Sequence, residues 1–516
     1  MGKSLTKVLS TLSRSYPGPG GAVAALRRGE VLESHTWGWA NAEHRIPFTP
    51  QTPFRVCSIT KQFTCALLLK LVPTLDDIDK NIQARMGRLQ GELPSVRQLC
   101  NNQSGFRDYW ALAMLHGSAV EAPFGNVQAR QVIRMNRALQ FSPGTRYSYS
   151  NQNFRMLSDI LEERAGRDFA ELLRQNMLDE IGMYSTFIGA DTSEPVGDTV
   201  GYEGSSETGF RAAINRIHWT GDAGLVSTLD DMVAWERYID CTREDDESIY
   251  KRLSAPVAFL DGTKASYGFG LAHRVIGGRG VTGHTGALRG WRCHRLYVPA
   301  DRVSVVVLFN HDADASGAAL ELLSAIIGEA DIPLASALPA TVPWCGNYLE
   351  PETEIATRVE LNSDGKIGLG YGHINERLEP TLDGATSSSV SLHVKTDGLW
   401  MERLYENQLS RLICVEGDSR SDFMGSYYCN ELDSHLHVAD CGDALYGAFS
   451  GFLGQGQMEL LCPFGRDVWL LPCRRSLDAP APGDWTLRIV RDNQNRVSSI
   501  TVGCVLARKL HYSRVR

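Results

Sequence analysis

The strongest constraint on the fold of this chain is a change of pattern near residue 330. Before it, strand-like runs alternate with helical ones, and residues 320–327 form a last amphipathic helix. A linker rich in proline, alanine and serine follows at 332–343, and only short alternating runs between turn dipeptides remain after it. Since 516 residues exceed what one hydrophobic core usually supports, we expect an α+β domain over residues 1–331 and a β-rich part after it.

The first part has the pattern of a sheet interrupted by helices. Residues 20–39 alternate as in an antiparallel hairpin, and strand-like runs return at 265–310. The residues between 95 and 240 are mostly helical or loop-like. We therefore predict an antiparallel sheet into which the helices are inserted.

The β-rich part contains two segments of similar sequence, at 346–350 and 425–428, each opening with a glycine and including tyrosine. Short alternating strands and turn dipeptides follow each segment. This internal repeat predicts two small antiparallel β-barrels, over residues 338–416 and 419–516. One continuous β domain is the alternative.

Composition excludes several classes of protein. The net charge is −8, without the concentrated basic face that nucleic acid binding needs. No apolar run approaches the 18 residues that suggest a membrane helix, and no export signal is visible at the N-terminus. The 12 cysteines lack CxxC pairs and metal-ligand spacing. We expect a cytoplasmic protein with reduced thiols, no metal and no cofactor.

A serine three residues before a lysine can form a nucleophile and its base. Ser58 and Lys61 lie at the start of a helical run, which places both side chains on one face and the serine at the positive end of the helix dipole. The same spacing occurs three more times, at Ser4/Lys7, Ser248/Lys251 and Ser363/Lys366. Those copies lie in a ragged terminus, after an acidic run and in a turn, so the sequence favours Ser58.

A second candidate segment, 141–151, is a Pro-Gly turn that ends in Tyr149 and Asn151. A phenol near a lysine can carry a proton to a leaving group, and an amide can bind a substrate carbonyl. The Tyr-x-Asn pattern also occurs at 405–407 and 428–430, so it is weak alone.

The third candidate segment is a strand start with the sequence His284, Thr285, Gly286 and Ala287. Its glycine allows backbone to approach a substrate closely, so an N–H here can join that of Ser58 in an oxyanion hole. Alone, this segment would favour a hairpin with an incidental histidine.

The three segments, in this order, resemble those of the penicillin-recognising serine enzymes, which include class C β-lactamases and D,D-peptidases. The resemblance spans about residues 18–310 and includes the segments 103–109, 223–228 and 267–270. It implies a β-lactamase-like fold, acylation of Ser58, proton transfer by Lys61 and Tyr149, and contact of Asn151 with the acyl group. It also implies that the Ala287 N–H completes the oxyanion hole. Whether Lys61 or Tyr149 is the base for acylation stays open.

His284 stands where most of these enzymes have a lysine that helps to hold a substrate carboxylate. A histidine is shorter and often neutral near pH 7, which disfavours a β-lactamase or carboxypeptidase. His-Thr-Gly followed by two β-barrels is similar to the bacterial D-stereospecific aminopeptidases. That resemblance implies that a loop at 474–484 reaches the catalytic domain, that Asp478 binds the substrate ammonium, and that the protein is a homodimer.

The sequence thus predicts a serine aminopeptidase that releases small N-terminal D-amino acids, such as D-alanine, from peptides, amides and esters. Ser58, Lys61, Tyr149 and His284 are the predicted catalytic residues, and Asn151, Ala287 and Asp478 the predicted substrate-binding residues. The partner is a small peptide or amino-acid amide. One alternative is an esterase, or a weak β-lactamase or D,D-peptidase, of the same fold. The other is a non-catalytic protein that senses β-lactams.

Overall fold

The structure is a computed structural model that describes residues 4–87, 89–328, 342–479 and 481–515. Helices are confined, within these ranges, to the part of the chain before residue 330, apart from one short 3₁₀ turn at Leu404–Glu406. The α-helices, numbered α1 to α12, are Leu5–Ser15, Thr60–Leu71, Lys80–Met86, Val96–Cys100, Tyr109–Leu115, Asn126–Met135, Asn151–Ala165, Phe169–Leu173, Asp179–Ile181, Leu229–Cys241, Ile249–Leu253 and Ala315–Ile327.

The N-terminal domain is built on an antiparallel sheet. Its strands, β1 to β15, are Gly20–Arg27, Glu30–Asn41, Ile46–Pro47, Phe54–Arg55, Phe187–Ile188, Tyr202–Ser205, Gly209–Ala212, Leu225–Ser227, Val257–Ala258, Lys264–Ala265, Tyr267–Gly268, Leu271–Ile276, Arg279–Leu288, Trp291–Val298 and Val303–Phe309. In the described residues the main sheet has the order β11-β12-β13-β14-β15-β1-β2-β3. The strands β1 and β15 are distant in sequence yet adjacent, so the helical region is inserted between the two halves of the sheet.

The two faces of the main sheet are covered by different helices. On one face, α1 and α12 bury an apolar cluster with residues such as Leu12, Val305 and Leu322. On the other face lies the larger cluster, which includes the buried helices α2 and α7. The helix α1 was not predicted, since residues 1–20 lack a long apolar run. Its narrow stripe of Val8, Leu9 and Leu12 is enough to hold it against the sheet.

Two antiparallel sheets follow the N-terminal domain. The first consists of β16 to β24, at Gly346–Glu350, Ile355–Leu361, Ile367–Tyr371, Ile374–Thr381, Gly384–Thr386, Val390–Lys395, Gly398–Arg403, Gln408–Arg411 and Ile413–Cys414. The second consists of β25 to β34, at Gly425–Cys429, Ser434–Cys441, Ala444–Gly451, Gly454–Gln455, Glu459–Leu460, Cys462–Gly465, Val468–Leu471, Trp485–Arg491, Val497–Cys504 and Ala507–Arg514.

Each of these sheets is a meander that curls back on its first strand. In the first, β24 pairs with β16 and nearly closes the barrel. In the second, β34 pairs with β25 to give a half-barrel. The repeated segments at 346–350 and 425–428 are the opening strands of the two sheets. The predicted α+β fold with two trailing antiparallel β-structures is confirmed, the first a nearly closed barrel and the second a half-barrel. The predicted boundaries at 331 and 338, and most of the linker, lie outside the described residues.

Both C-terminal sheets contact the N-terminal domain. The backbone N–H of Asp108 donates to the carbonyl of Leu506 at 2.9 Å, and Arg107 pairs with Glu431 at 2.6 Å. The first barrel is joined by Tyr147, whose N–H donates to the carbonyl of Glu406 at 3.3 Å. These contacts lie around one end of the main sheet, where the candidate site is found. Across the described ranges, no helix has both the length and the apolar character needed to cross a bilayer.

Candidate active site

Ser58 lies in a tight turn between a strand and a buried helix. The 3₁₀ turn Cys57–Ile59 follows β4, which pairs with β8, and α2 begins immediately after it. Cys57 has φ +49°, in the left-handed region that non-glycine residues rarely adopt. Almost all of α2 is buried. The core thus holds the turn rigidly and aims the Ser58 hydroxyl at the N-terminal end of α2, where the helix dipole favours negative charge.

Lys61 holds the Ser58 hydroxyl from the next turn of the helix. Its Nζ donates to Ser58 Oγ at 2.9 Å, to Asn151 Oδ1 at 2.8 Å and to the carbonyl of Asp222 at 2.7 Å. The last two oxygens only accept, so they fix two Nζ hydrogens whether or not the lysine is charged. When Lys61 is neutral, its remaining lone pair therefore points at Ser58.

The surroundings of Lys61 favour loss of its proton. Complete burial lowers the pKa of Lys61 to about 8, although the carboxylates of Asp222, Asp478 and Asp108 oppose the shift. The Tyr149 hydroxyl donates to Ser58 Oγ at 2.9 Å. Burial raises the pKa of Tyr149 well above its ordinary value, so this phenol keeps its proton. Of the two groups that touch Ser58, Lys61 is the one that can become basic near neutral pH.

Tyr149 and Asn151 are positioned by the start of α7. Asn151 is the first residue of this helix, and its backbone N–H donates to Asp108 Oδ2 at 2.6 Å. The side-chain Nδ2 donates to the same oxygen at 2.9 Å. This contact turns Oδ1 toward Lys61 and leaves one N–H of the amide for a ligand. Asp108 itself caps α5.

Asp108 and Asp222 form a layer beneath the site that sequence reasoning missed. Asp222 accepts a hydrogen bond from the Tyr109 hydroxyl at 2.6 Å, and its carbonyl receives Lys61. Burial raises the pKa of Asp108 to about 6, while its contacts with Asn151 lower it. Asp108 lies within the segment 103–109, which resembles the family. The sequence suggests only that it caps a helix and does not reveal its contact with Asn151.

The edge of β13 forms the opposite wall of the site. The pairing of β12 with β13 ends at Gly283, so the stretch from His284 to Leu288 extends past its neighbour on that side. A Cβ at Gly286 would lie 2.3 Å from the carbonyl oxygen of Val56. Glycine is therefore required for β13 to approach the Ser58 turn, and Ala287, the next residue, lines the cavity together with Ser58.

The structure places His284 beside the site, with both ring nitrogens in hydrogen bonds. Nδ1 lies 2.6 Å from the carbonyl of Thr285 and therefore carries the proton, and Nε2 accepts from the Tyr267 hydroxyl at 2.9 Å. Burial lowers the pKa of His284 to about 3, and the nearby charge of Lys61 adds to the shift. This neutral ring packs 6.2 Å from the Tyr149 ring. Its arrangement is that of a positioning residue, and its catalytic role stays a prediction.

Described residues of the 474–484 segment line the site, among them Asp478, Ala479 and Ala481. Arg289 donates to the carbonyls of Ser476, Val120 and Ile214, and so ties the segment to the N-terminal domain. Asp478 lines the same cavity as Ser58. Burial raises its pKa to about 7, although a hydrogen bond from the Ala479 N–H at 2.8 Å lowers it. A cationic group entering the cavity would favour the ionised form of this carboxylate.

The N-terminal domain and both C-terminal sheets contribute residues to this cavity, which has a volume of about 320 Å³. His373 comes from the first barrel and Leu506 from the second, and neither was predicted. His373 Nδ1 contacts the carbonyl of Pro482 at 3.2 Å, and so supports the 474–484 segment. In the part of the chain that the structure describes, no group of three or more His, Cys, Asp or Glu side chains could hold a metal ion.

The β-lactamase-like sheet and the Ser58, Lys61 and Tyr149 triad define the class as the penicillin-recognising serine enzymes. The sequence profile of the beta-lactamase family matches residues 5–328, and that of D-aminopeptidase, domain B, matches residues 338–513. The chain is 49% identical over 520 residues to a D-aminopeptidase of Gluconobacter oxydans, covering 99% of this chain and 98% of that one. It is 42% identical over 515 residues to a D-aminopeptidase of Brucella melitensis biotype 1, covering 99% of both. The chain belongs to the D-aminopeptidase family.

Solved structures agree on the fold. A penicillin-binding protein homologue from Pyrococcus abyssi superimposes with a TM-score of 0.54 at 22% identity, covering 80% of this chain and all of that one. The D-amino acid amidase from Ochrobactrum anthropi SV3 superimposes with a TM-score of 0.51 at 19% identity, covering 62% and 97%.

Proposed function

We propose that this protein is a serine aminopeptidase that releases small N-terminal D-amino acids, such as D-alanine, from peptides, amides and esters. The observation that carries the proposal is the contact of Ser58 Oγ with both Lys61 and Tyr149 in a cavity that also contains Asp478. Stereospecificity rests on membership of the D-aminopeptidase family.

In the first step, neutral Lys61 accepts the proton of Ser58, and Oγ forms a bond to the substrate carbonyl carbon. The oxyanion that results is bound by the N–H groups of Ser58 and Ala287. Lys61 is preferred over Tyr149 as the base, because burial lowers the pKa of the lysine and raises that of the phenol.

In the second step, the C–N bond breaks and the leaving amine takes a proton. Tyr149 is the donor, because its hydroxyl contacts Ser58 Oγ, and the phenolate that results takes a proton from the adjacent Lys61 ammonium, which becomes neutral again. Water then attacks the acyl carbon and gives a proton to neutral Lys61. The bond between this carbon and Ser58 Oγ breaks, Lys61 returns the proton to Oγ, and the amino acid is released. An amine can take the place of water at this step, which gives some transpeptidation.

Asp478 binds the free amine of the substrate. A carboxylate is the natural partner of an ammonium group in a partly dry cavity, and the pair would hold the first residue of the substrate beside Ser58. Ala479, Ala481 and His373 narrow the same space, which favours small side chains.

The proposal also concerns the cellular compartment and the assembly of the protein. All twelve cysteines are free thiols, which suits a reducing compartment such as the cytoplasm. Assembly as a homodimer stays a prediction.

Comparing the p-nitroanilides of D- and L-alanine tests the proposal. We expect turnover of the D compound at least about 100-fold faster than that of the L compound, which a specificity difference of about 2.7 kcal/mol would give. Equal turnover of both, or hydrolysis confined to a chromogenic cephalosporin or a short acyl ester, would show that the enzyme belongs to one of the alternatives.

A further inference from the structure

Arg274 is a cation in the candidate active site that the proposed reaction does not use. It lies in β12 and lines the cavity with Ser58 and Asp478. Among the described residues around the cavity it is the only lysine or arginine in the lining. Its guanidinium forms no hydrogen bond or ion pair within the described chain, whereas Arg279, in the same hairpin, pairs with Asp301 at 2.6 Å. Arg274 is also exposed, so a ligand can reach it.

The position of Arg274 is set by the register of β12 against β13. Ala272 pairs with Gly283, and Arg274 pairs with Val281. The unpaired edge of β13 beside Ser58 begins after Gly283, so Arg274 lies further along the hairpin, in the opposite direction. Alternate residues of a strand share a face, which puts Arg274 on the face that carries Thr285. Thr285 is four residues from Val281, or about 13 Å along the strand, and the long arginine side chain covers part of this gap.

The charge of Arg274 lies close to two histidines that line the same cavity. Burial lowers the pKa of His294 to about 3, and the charge of Arg274 adds to that shift. The same charge contributes, after burial and Lys61, to the low pKa of His284. The histidines here are neutral and cannot bind an anion by charge. Arg274 supplies the positive potential that they lack.

Asp478 acts on a different set of groups. Its charge influences Lys61 and Cys57, which flank Ser58, and it forms no ion pair with Arg274. The cavity thus offers a carboxylate near the nucleophile and a guanidinium further along the β13 edge. A ligand with an ammonium at one end and a carboxylate at the other is complementary to this arrangement.

We propose that Arg274 binds the C-terminal carboxylate of a di- or tripeptide substrate, so that the enzyme prefers short peptides with a free C-terminus to their C-terminal amides. The inference rests on the proposed aminopeptidase function, in which Asp478 holds the amine and Ser58 attacks the first carbonyl. The leaving group then points along β13, and its carboxylate lies one or two residues from the broken bond. Arg274 takes no part in bond breaking and determines specificity only.

The test compares D-alanyl-glycine and D-alanyl-glycyl-glycine with their C-terminal amides, which differ in charge but hardly in size. In the wild-type protein we expect kcat/KM about 10-fold higher for the acid at one of the two lengths, mainly through KM, as one charge-assisted hydrogen bond at an exposed site would give. Arg274→Gln should remove the preference, and Arg274→Lys should restore part of it.

Two controls separate this inference from the proposed function. D-alanine p-nitroanilide has no carboxylate, so its turnover by Arg274→Gln should stay within about 2-fold of wild type, which also shows that the variant is folded. Arg279→Gln, in the same hairpin but outside the cavity lining, should keep the acid preference. Acids and amides cleaved equally by wild type, or an acid preference that survives Arg274→Gln, would overturn the role of Arg274. Absence of D-alanine p-nitroanilide turnover in wild type would instead overturn the proposed function.

Discussion

Two Ser-x-x-Lys sequences of this chain have the same spacing but different contacts in the structure. At Ser248, the hydroxyl caps α11 by accepting a hydrogen bond from the Lys251 backbone N–H at 3.3 Å, and the Lys251 side chain pairs with Asp246 near solvent. At Ser58, the hydroxyl caps no helix and receives Lys61 Nζ and Tyr149 instead. What separates the two is burial of the lysine, because a buried amine with fixed acceptors loses its proton more easily than a solvated one.

The largest expected difference between the two sequences is in activity. Ser58→Ala should lower kcat for D-alanine p-nitroanilide by on the order of 10⁴-fold or more, since nothing else in the cavity replaces the nucleophile. Ser248→Ala should leave kcat unchanged and lower stability by about 1 kcal/mol through loss of the cap. Steady-state kinetics and urea unfolding of both variants check this. A Ser58→Ala protein that is folded and active would show that Ser58 is not the nucleophile.

The second largest difference should be between substitutions of Lys61 and Lys251. Lys61→Met removes the base and should lower kcat by about 10³-fold, within the range of general base catalysis. Lys251→Met removes only an exposed ion pair and should change neither kcat nor unfolding measurably. Similar activity losses in the two variants would show that Lys61 acts through folding and not through chemistry.

Asp478 should affect only substrates that carry a free amine. For Asp478→Asn we expect kcat/KM for D-alanine p-nitroanilide to fall by about 100-fold, as for loss of a partner in a partly buried ion pair. Hydrolysis of p-nitrophenyl acetate, which has no ammonium, should stay within about 3-fold of wild type and reports whether Ser58 and Lys61 remain intact. Equal losses for both substrates would exclude the ammonium role.

The pH dependence should be the smallest effect, at most tenfold per pH unit for each ionising group. Lys61 acts as a base, so activity should rise as pH increases through about 8, where it loses its proton. Asp478 must be ionised to bind the amine, so activity should also fall as pH decreases through about 7. In Asp478→Asn the step near 7 should disappear while the step near 8 remains. A profile of kcat/KM with no step near 8 would contradict the assignment of Lys61.

Local spacing predicts some of the side chains that the structure brings together around Ser58. Ser58 and Lys61 are one helical turn apart, and Tyr149 and Asn151 flank a helix start, so short motifs identify them. Asp222, His373 and Leu506 could not be found in this way. Asp222 contacts Lys61, and His373 and Leu506 line the cavity, only because the fold joins parts of the chain that are far apart in sequence.

The sequence also predicted only part of the fold. The alternation of strands and the repeated opening segments predict the sheet and the two barrels. The helix α1 was missed although Leu5, Val8, Leu9 and Leu12 recur at helical spacing, because the segment has no long apolar run. The serine of that helix, Ser4, is a cap for the Lys7 N–H, so the spacing it shares with Ser58 predicts nothing without its surroundings.

The most direct test of this account is mass spectrometry of the protein quenched with acid during turnover of D-alanine p-nitrophenyl ester. We predict an alanyl adduct on the peptide that contains Ser58, its loss in Ser58→Ala, and little or no adduct with the L ester. An adduct on another residue, or equal labelling by both esters, would contradict acylation of Ser58 by D-amino acids.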